Sequence, residues 1–155
     1  MSSIRTLVVL GALLALAACG TASTDLRADA GKKGQFHVDV PFELAYQNFR
    51  TLASECWERK YATTDFYVNV TKKTEKTATV EIMWEQEFRT LIVLSADIAA
   101  ATGGTDVTYF LDDKRLVFKD GQTSLTDWAR GRIDDCGKPG GMTLPHFDLD
   151  LGLGL

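Results

Sequence analysis

The 155-residue chain is poor in the residues from which most catalytic and nucleic-acid-binding sites are built. It holds only two histidines, His37 and His146, and no H-E-x-x-H motif or Cys/His cluster, so a zinc site has no support. No G-x-S-x-G motif and no P-loop is present. Gly103-Gly104 leads into a strand pattern rather than a helix, which excludes a phosphate cradle at a helix N-terminus. Calcium-loop spacing is also missing. Positive charge is scarce: 17 Lys+Arg stand against 21 Asp+Glu, a formal net charge of -4. That balance leaves no electrostatic footprint for nucleic acid. It gains nothing from an anionic bilayer either, so membrane attachment needs apolar or covalent means. No apolar run approaches the roughly 20 residues of a membrane-spanning helix, and no internal repeat is visible. These absences leave no catalytic residue, cofactor or metal to assign.

What is present is the composition of one globular domain, with 45% hydrophobic and 25% charged residues. Its first 18 residues read differently from the rest. Arg5 supplies a positive start, and Leu7 to Ala18 is apolar or small throughout. A helix of that length reaches only about 18 Å, so the run reads as the apolar region of a signal peptide. It closes with Leu16-Ala17-Ala18-Cys19.

Those four residues resemble the lipobox of bacterial lipoproteins: a branched apolar residue, two small residues, then an obligatory cysteine. The resemblance implies cleavage before Cys19, acylation of its thiol, and residence on the cell envelope with the lipid bilayer as partner. Gly20 in place of an aspartate implies the outer membrane, with the domain facing the periplasm. Without Arg5, the part from Cys19 onward carries 16 basic and 21 acidic residues, a net charge of -5. The alternative is an ordinary signal peptide cut after Ala18 or Ala22, with Cys19 incidental.

Export delivers a domain to an oxidising compartment. With Cys19 acylated, Cys56 and Cys136 are the two cysteines left, and they have one possible pairing. A bridge between them closes a loop of about 80 residues, worth about 4–5 kcal/mol on chain entropy. Two buried free thiols are the alternative. Neither cysteine stands in a C-x-x-C spacing.

Residues 19–34 are small, polar and glycine-bearing, and read as a lipidated flexible tether. The domain is expected over 35–136. Phe36, Val38 and Val40 alternate as a first strand. Pro41 opens a helix in which Ala45, Phe49, Leu52, Ala53 and Cys56 share one face. Phe66 to Val70 and Ala78 to Trp84 form a hairpin across the polar turn 72–76. Phe88 to Ile98 is a longer strand, with burial on both faces expected over Leu91-Ile92-Val93-Leu94. The glycines of Thr102-Gly103-Gly104-Thr105 supply the positive φ of a tight turn into Val107, Tyr109 and Leu111. A short strand, Leu116 to Phe118, precedes a second helix capped by Ser124. Leu125, Trp128, Ala129, Arg132, Ile133 and Cys136 fall on its face, and Gly137 and Pro139 end it. Residues 137–155 read as a disordered tail.

Strand, helix, a run of strands, helix: this order predicts an α+β fold, an antiparallel sheet packed by two helices on one face. Cys56 and Cys136 would then staple the helix ends together. Val38-Asp39-Val40-Pro41 and Gly103-Gly104-Thr105-Asp106-Val107-Thr108-Tyr109 resemble the helix-grip proteins of the START and polyketide-cyclase-like superfamily. That resemblance implies an apolar ligand cavity between helix and sheet, though the last helix here is short for the superfamily.

The remaining polar candidates read as solvent-facing. His37 lies on the exposed side of a strand. Glu81, Glu85 and Glu87 share a strand face and read as its watery side. Asp112-Asp113 and Asp134-Asp135 are turn and helix-end acids. Tyr46, Phe49, Trp57, Trp84 and Trp128 are core or rim aromatics, any exposed subset marking a partner surface. The functional expectation is a non-catalytic binding or scaffold module with an envelope protein as partner. The first alternative is a carrier or sensor of a small hydrophobic ligand, and the second an enzyme, which would need polar groups converging in a cavity between helix and sheet. A filled space between the first helix and the sheet favours the module, and an open cavity the carrier.

Overall fold

The structure is a computed structural model that describes residues 26–28, 30–59, 66–86 and 89–140. The signal peptide 1–18, Cys19, Glu87, His146 and the tail from residue 141 lie outside the described residues. The fold is α+β, as the pattern of elements predicts. Strand β1 (Lys32–Val38) leads to helix α1 (Phe42–Ser54), which continues as a π-helical turn over Glu55–Arg59. The strands β2 (Phe66–Lys73), β3 (Thr77–Gln86), β4 (Arg89–Ala101) and β5 (Gly104–Leu111) follow. Then come β6 (Leu116–Val117), helix α2 (Gly121–Ala129) and β7 (Lys138–Pro139), the last element among the described residues.

The main sheet has the order β1-β5-β4-β3-β2, antiparallel at every pairing. Because side chains alternate across a strand, register decides what each face carries. Leu111, Leu94, Ile82 and Val68 form one row across four strands. Phe36, Val107, Ile98 and Ala78 form another. These rows meet the buried side of α1: Phe42, Ala45, Tyr46, Phe49, Leu52 and Ala53. Helix α2 adds Leu125, Trp128 and Ala129 to the same core. Phe49 and Phe118 both meet the Trp128 ring edge-on, each with centroids 5.6 Å apart.

Several boundaries differ from those the sequence suggests. β1 begins at Lys32, so its first residues belong to the sheet rather than to the tether. Backbone pairing with β5 needs no apolar side chain, and the lysines that hide this from periodicity are exposed. The cap of α2 is Asp120, whose Oδ1 accepts the Thr123 N–H at 3.1 Å; Ser124 lies inside the first turn. The helix stops at Ala129 because Gly131 takes φ +79°, the left-handed turn that ends helices. Arg132 and Ile133 therefore leave the helix face, and Ile133 is 50% exposed. In the β4–β5 turn Gly103 alone takes positive φ, at +80°. Residues 138–139, expected in the tail, pair with Leu116 and Val117.

A register shift between Ile82 and Met83 leaves Val93 as an extra residue in β4. Its carbonyl accepts the Asp112 N–H at 2.9 Å. Leu91, Val93 and Leu94 are all buried there, the two-faced burial that the apolar run predicts.

Candidate functional site

Cys56 and Cys136 are joined, with Cα atoms 5.2 Å apart. The bond ties the π-helical turn after α1 to the loop after α2, not helix end to helix end. Asp135 sets that loop. Its carboxylate accepts the Lys119 and Gly137 N–H groups, both at 2.9 Å, and the Ser124 hydroxyl at 3.2 Å. Burial pushes its pKa up, but these donors outweigh burial and hold it below the usual aspartate value. Its backbone oxygen takes the Trp128 Nε1–H at 3.1 Å. An acid that reads as a helix end is thus the fixture that presents Cys136.

The face of the sheet opposite α1 and α2, termed the helix-free face because neither packs on it, carries a polar cluster. One row holds Gln35, Thr108, Asp97 and Thr79; the next holds Lys33, Phe110, Ser95, Glu81 and Asn69. A short helical turn at 26–28 lays Arg27 over both rows. Its guanidinium binds Asp97 in bidentate fashion, Nη1 to Oδ2 at 2.5 Å and Nη2 to Oδ1 at 2.9 Å. Nη2 also donates to Ser95 Oγ at 3.1 Å. The cation stands 4.7 Å from the centre of the Phe110 ring. Thr79 Oγ1 donates to Asp97 Oδ1 at 2.8 Å.

Glu81 lies at the floor of this cluster, 1% exposed, with Ser95 Oγ 3.4 Å from its Oε1. The expectation of a water-facing Glu81 is therefore corrected; Glu85 is exposed as expected. Burial raises the Glu81 pKa, while Ser95 and the Arg27 charge act against the rise. The sign for stability follows. A carboxyl with a raised folded-state pKa contributes fully below its ordinary value, and the contribution is lost as pH climbs through the raised one. Glu81→Gln copies the protonated form. It is expected to match wild type at a pH below the ordinary glutamate value and to melt at a higher temperature at neutral pH, as read by thermal scans at the two pH values. A variant that melts lower at neutral pH sinks this account.

A second feature is an open groove of about 470 Å³ along the exposed side of α1, closed on one flank by Lys73 of β2. Glu43, Gln47, Arg50 and Glu55 line it, with Tyr46 at its base. Lys73 Nζ sits 3.0 Å from Glu43 Oε1 and 4.0 Å above the Tyr46 ring. Hydrogen bonds from Lys73 and then Gln47 hold the Glu43 carboxyl below its usual range. Leu44 on the same helix is 51% exposed. The groove presents paired charges and the Gln47 amide.

His37 Nδ1 lies 2.7 Å from Asp106 Oδ1 at the exposed end of β1. Of the candidate aromatics, Phe49, Trp57 and Trp128 are fully buried, and Tyr46 nearly so. Among the described residues, no three His, Cys, Asp or Glu side chains converge as metal ligands. Arg27, Asp97 and Lys73 carry no sequence signal of these roles. A lone arginine inside a small, polar segment was the only available hint. Compared with known proteins, the chain matches no family model, no curated protein and no solved structure.

Proposed function

We propose that the chain is a lipid-anchored envelope lipoprotein. It is cut before Cys19, acylated there, and held at the outer membrane facing the periplasm. Its domain is a non-catalytic binding or scaffold module for an envelope protein. The observation that carries the address is the Leu16-Ala17-Ala18-Cys19 sequence at the end of a short apolar run. The Cys56–Cys136 bond supports it, since such bonds persist in oxidising compartments. The binding role is supported by the core. Phe49, Phe118, Leu125 and Trp128 fill the space between helices and sheet where a carrier needs an apolar chamber. The groove along α1 is the surface offered instead.

One preparation tests both halves: the chain with a photocrosslinker at Gln47, made in its own host and recovered from membranes. We expect an N-terminal peptide starting at Cys19 with the added mass of acyl chains, and a discrete crosslinked protein adduct. Cys19→Ala is expected to abolish the acyl mass and leave the leader uncut. A soluble, unacylated wild-type chain still bearing its leader overturns the address. An acylated chain with no discrete adduct overturns the binding role.

A further inference from the structure

The N-terminal approach to the domain is held at a defined place, eight residues after the proposed anchor. We propose that Arg27 turns the helix-free face of the sheet toward the lipid surface, at short range, so that α1 and its groove point away from it. The inference rests on acylation of Cys19 and deepens that reading.

Three observations carry it. The first is the quality of the contact. A single exposed ion pair is worth little, but the Arg27 guanidinium makes three hydrogen bonds, two to one carboxylate and one to a hydroxyl, and lies over an aromatic ring as well. Asp97, Ser95 and Phe110 supply these contacts from β4 and β5, near the middle of the sheet and distant in sequence from Arg27. The contact is intramolecular, so its effective concentration is high.

The second is reach. From Cys19 to Arg27 the chain can span at most about 28 Å when fully extended. Without the contact the free leash runs on to Lys32, about 45 Å at full stretch. A domain of this size is about 35 Å across. A leash fixed to the middle of one face and shorter than the domain's breadth does not let the opposite face reach the surface. A leash starting from the edge strand does.

The third is the chemistry of the face. Around Arg27, Gln35, Thr108, Asp97, Ser95, Glu81 and Asn69 are polar or acidic, with Lys33 and Phe110 among them; the half-buried row Tyr67, Met83 and Ile92 lies farther along the same face. The polar part under Arg27 stands off from lipid rather than inserting, so proximity there comes from the leash.

The test uses the full acylated protein in phosphatidylcholine vesicles carrying a headgroup spin-label quencher. A fluorophore is placed through a new cysteine at Gln35, on the helix-free face, or at Gln47, on α1; both positions are exposed. The two lie on the order of 15 Å apart in depth if the face is oriented. We expect severalfold stronger quenching at Gln35 than at Gln47 in otherwise wild-type protein, and near-equal quenching in Arg27→Gln. A Gly-Ser insertion between Ala22 and Ser23 lengthens the leash and leaves the contact intact. It is expected to shrink the difference as well, which keeps the test decisive if Arg27→Gln disturbs folding. Equal quenching in the wild type, or stronger quenching at Gln47, overturns the orientation while leaving the anchor in place. Mass spectrometry of the same sample separates the two ideas: absence of acyl chains on Cys19 removes the anchor reading and this inference with it.

Discussion

Reducing the Cys56–Cys136 bond is expected to lower the melting temperature of the domain by on the order of 10–20 °C. The bond joins residues 80 apart in sequence. Opening it returns to the unfolded chain a loop entropy of about 4–5 kcal/mol, and removal of such bonds from small exported domains costs about 2–5 kcal/mol in practice. For a domain of this length each kcal/mol moves the midpoint by roughly 3–5 °C. The folded side of the equilibrium changes little, because Asp135 fixes the Cys136 loop through three donors independent of sulfur. A Cys56→Ala, Cys136→Ala variant is expected to behave as the reduced protein does. The measurement is a thermal scan with and without reductant, with thiols counted by alkylation and mass. An unchanged midpoint with both thiols shown to be free removes the bond from the account of stability.

The largest single-residue loss is expected at Trp128. Its side chain is fully buried and meets Phe49 of α1 and Phe118 beyond β6 edge-on. Truncating a buried aromatic to alanine costs about 3–5 kcal/mol through lost transfer energy and the cavity left behind. Trp128→Ala also strips the Asp135 carbonyl of its Nε1–H donor, adding on the order of 1 kcal/mol. Trp128→Phe separates the two effects, since it keeps most of the packing and loses the hydrogen bond. The alanine variant is expected to lose most of the denaturant midpoint, and the phenylalanine variant a minor part of it. Equal losses would show that the hydrogen bond, not the packing, dominates at this position.

The same residues show what a sequence can disclose. Regular alternation and helical spacing report burial against the core, and these periods place Phe36, Val38, Phe49, Leu52, Val80 and Val107 correctly. The pairing of the two cysteines follows from there being no other partner once Cys19 is set aside. Features that depend on distant chain segments were hidden. Glu81 reads as a surface acid because what packs around it, Ser95 and the cluster under Arg27, is brought there by strand register. The extra residue at Val93 has no local signature, since either neighbour could occupy the paired position. The left-handed turn at Gly131 ends α2 early and takes Ile133 and Cys136 off the face that their apolar spacing suggests. For the candidate sites the limit is sharper. The Arg27 contact and the Lys73 groove join residues from separate elements, and each alone looks like ordinary surface charge.

The strand order also governs the sequence of events as the polypeptide is made. β1 is the first strand to emerge, yet its partner is β5, the fifth in line: Lys32 faces Leu111 and Val38 faces Thr105. The meander from β2 to β5 consists of neighbours joined by short turns and is free to assemble early, because little loop entropy is lost. The opening strand must wait for most of the chain, and until then its mate in the sheet presents an unpaired edge. Arg27 waits likewise for Asp97. Whatever handles this polypeptide before completion therefore meets a half-built sheet with an open side, the kind of surface on which strands of other copies pair in error.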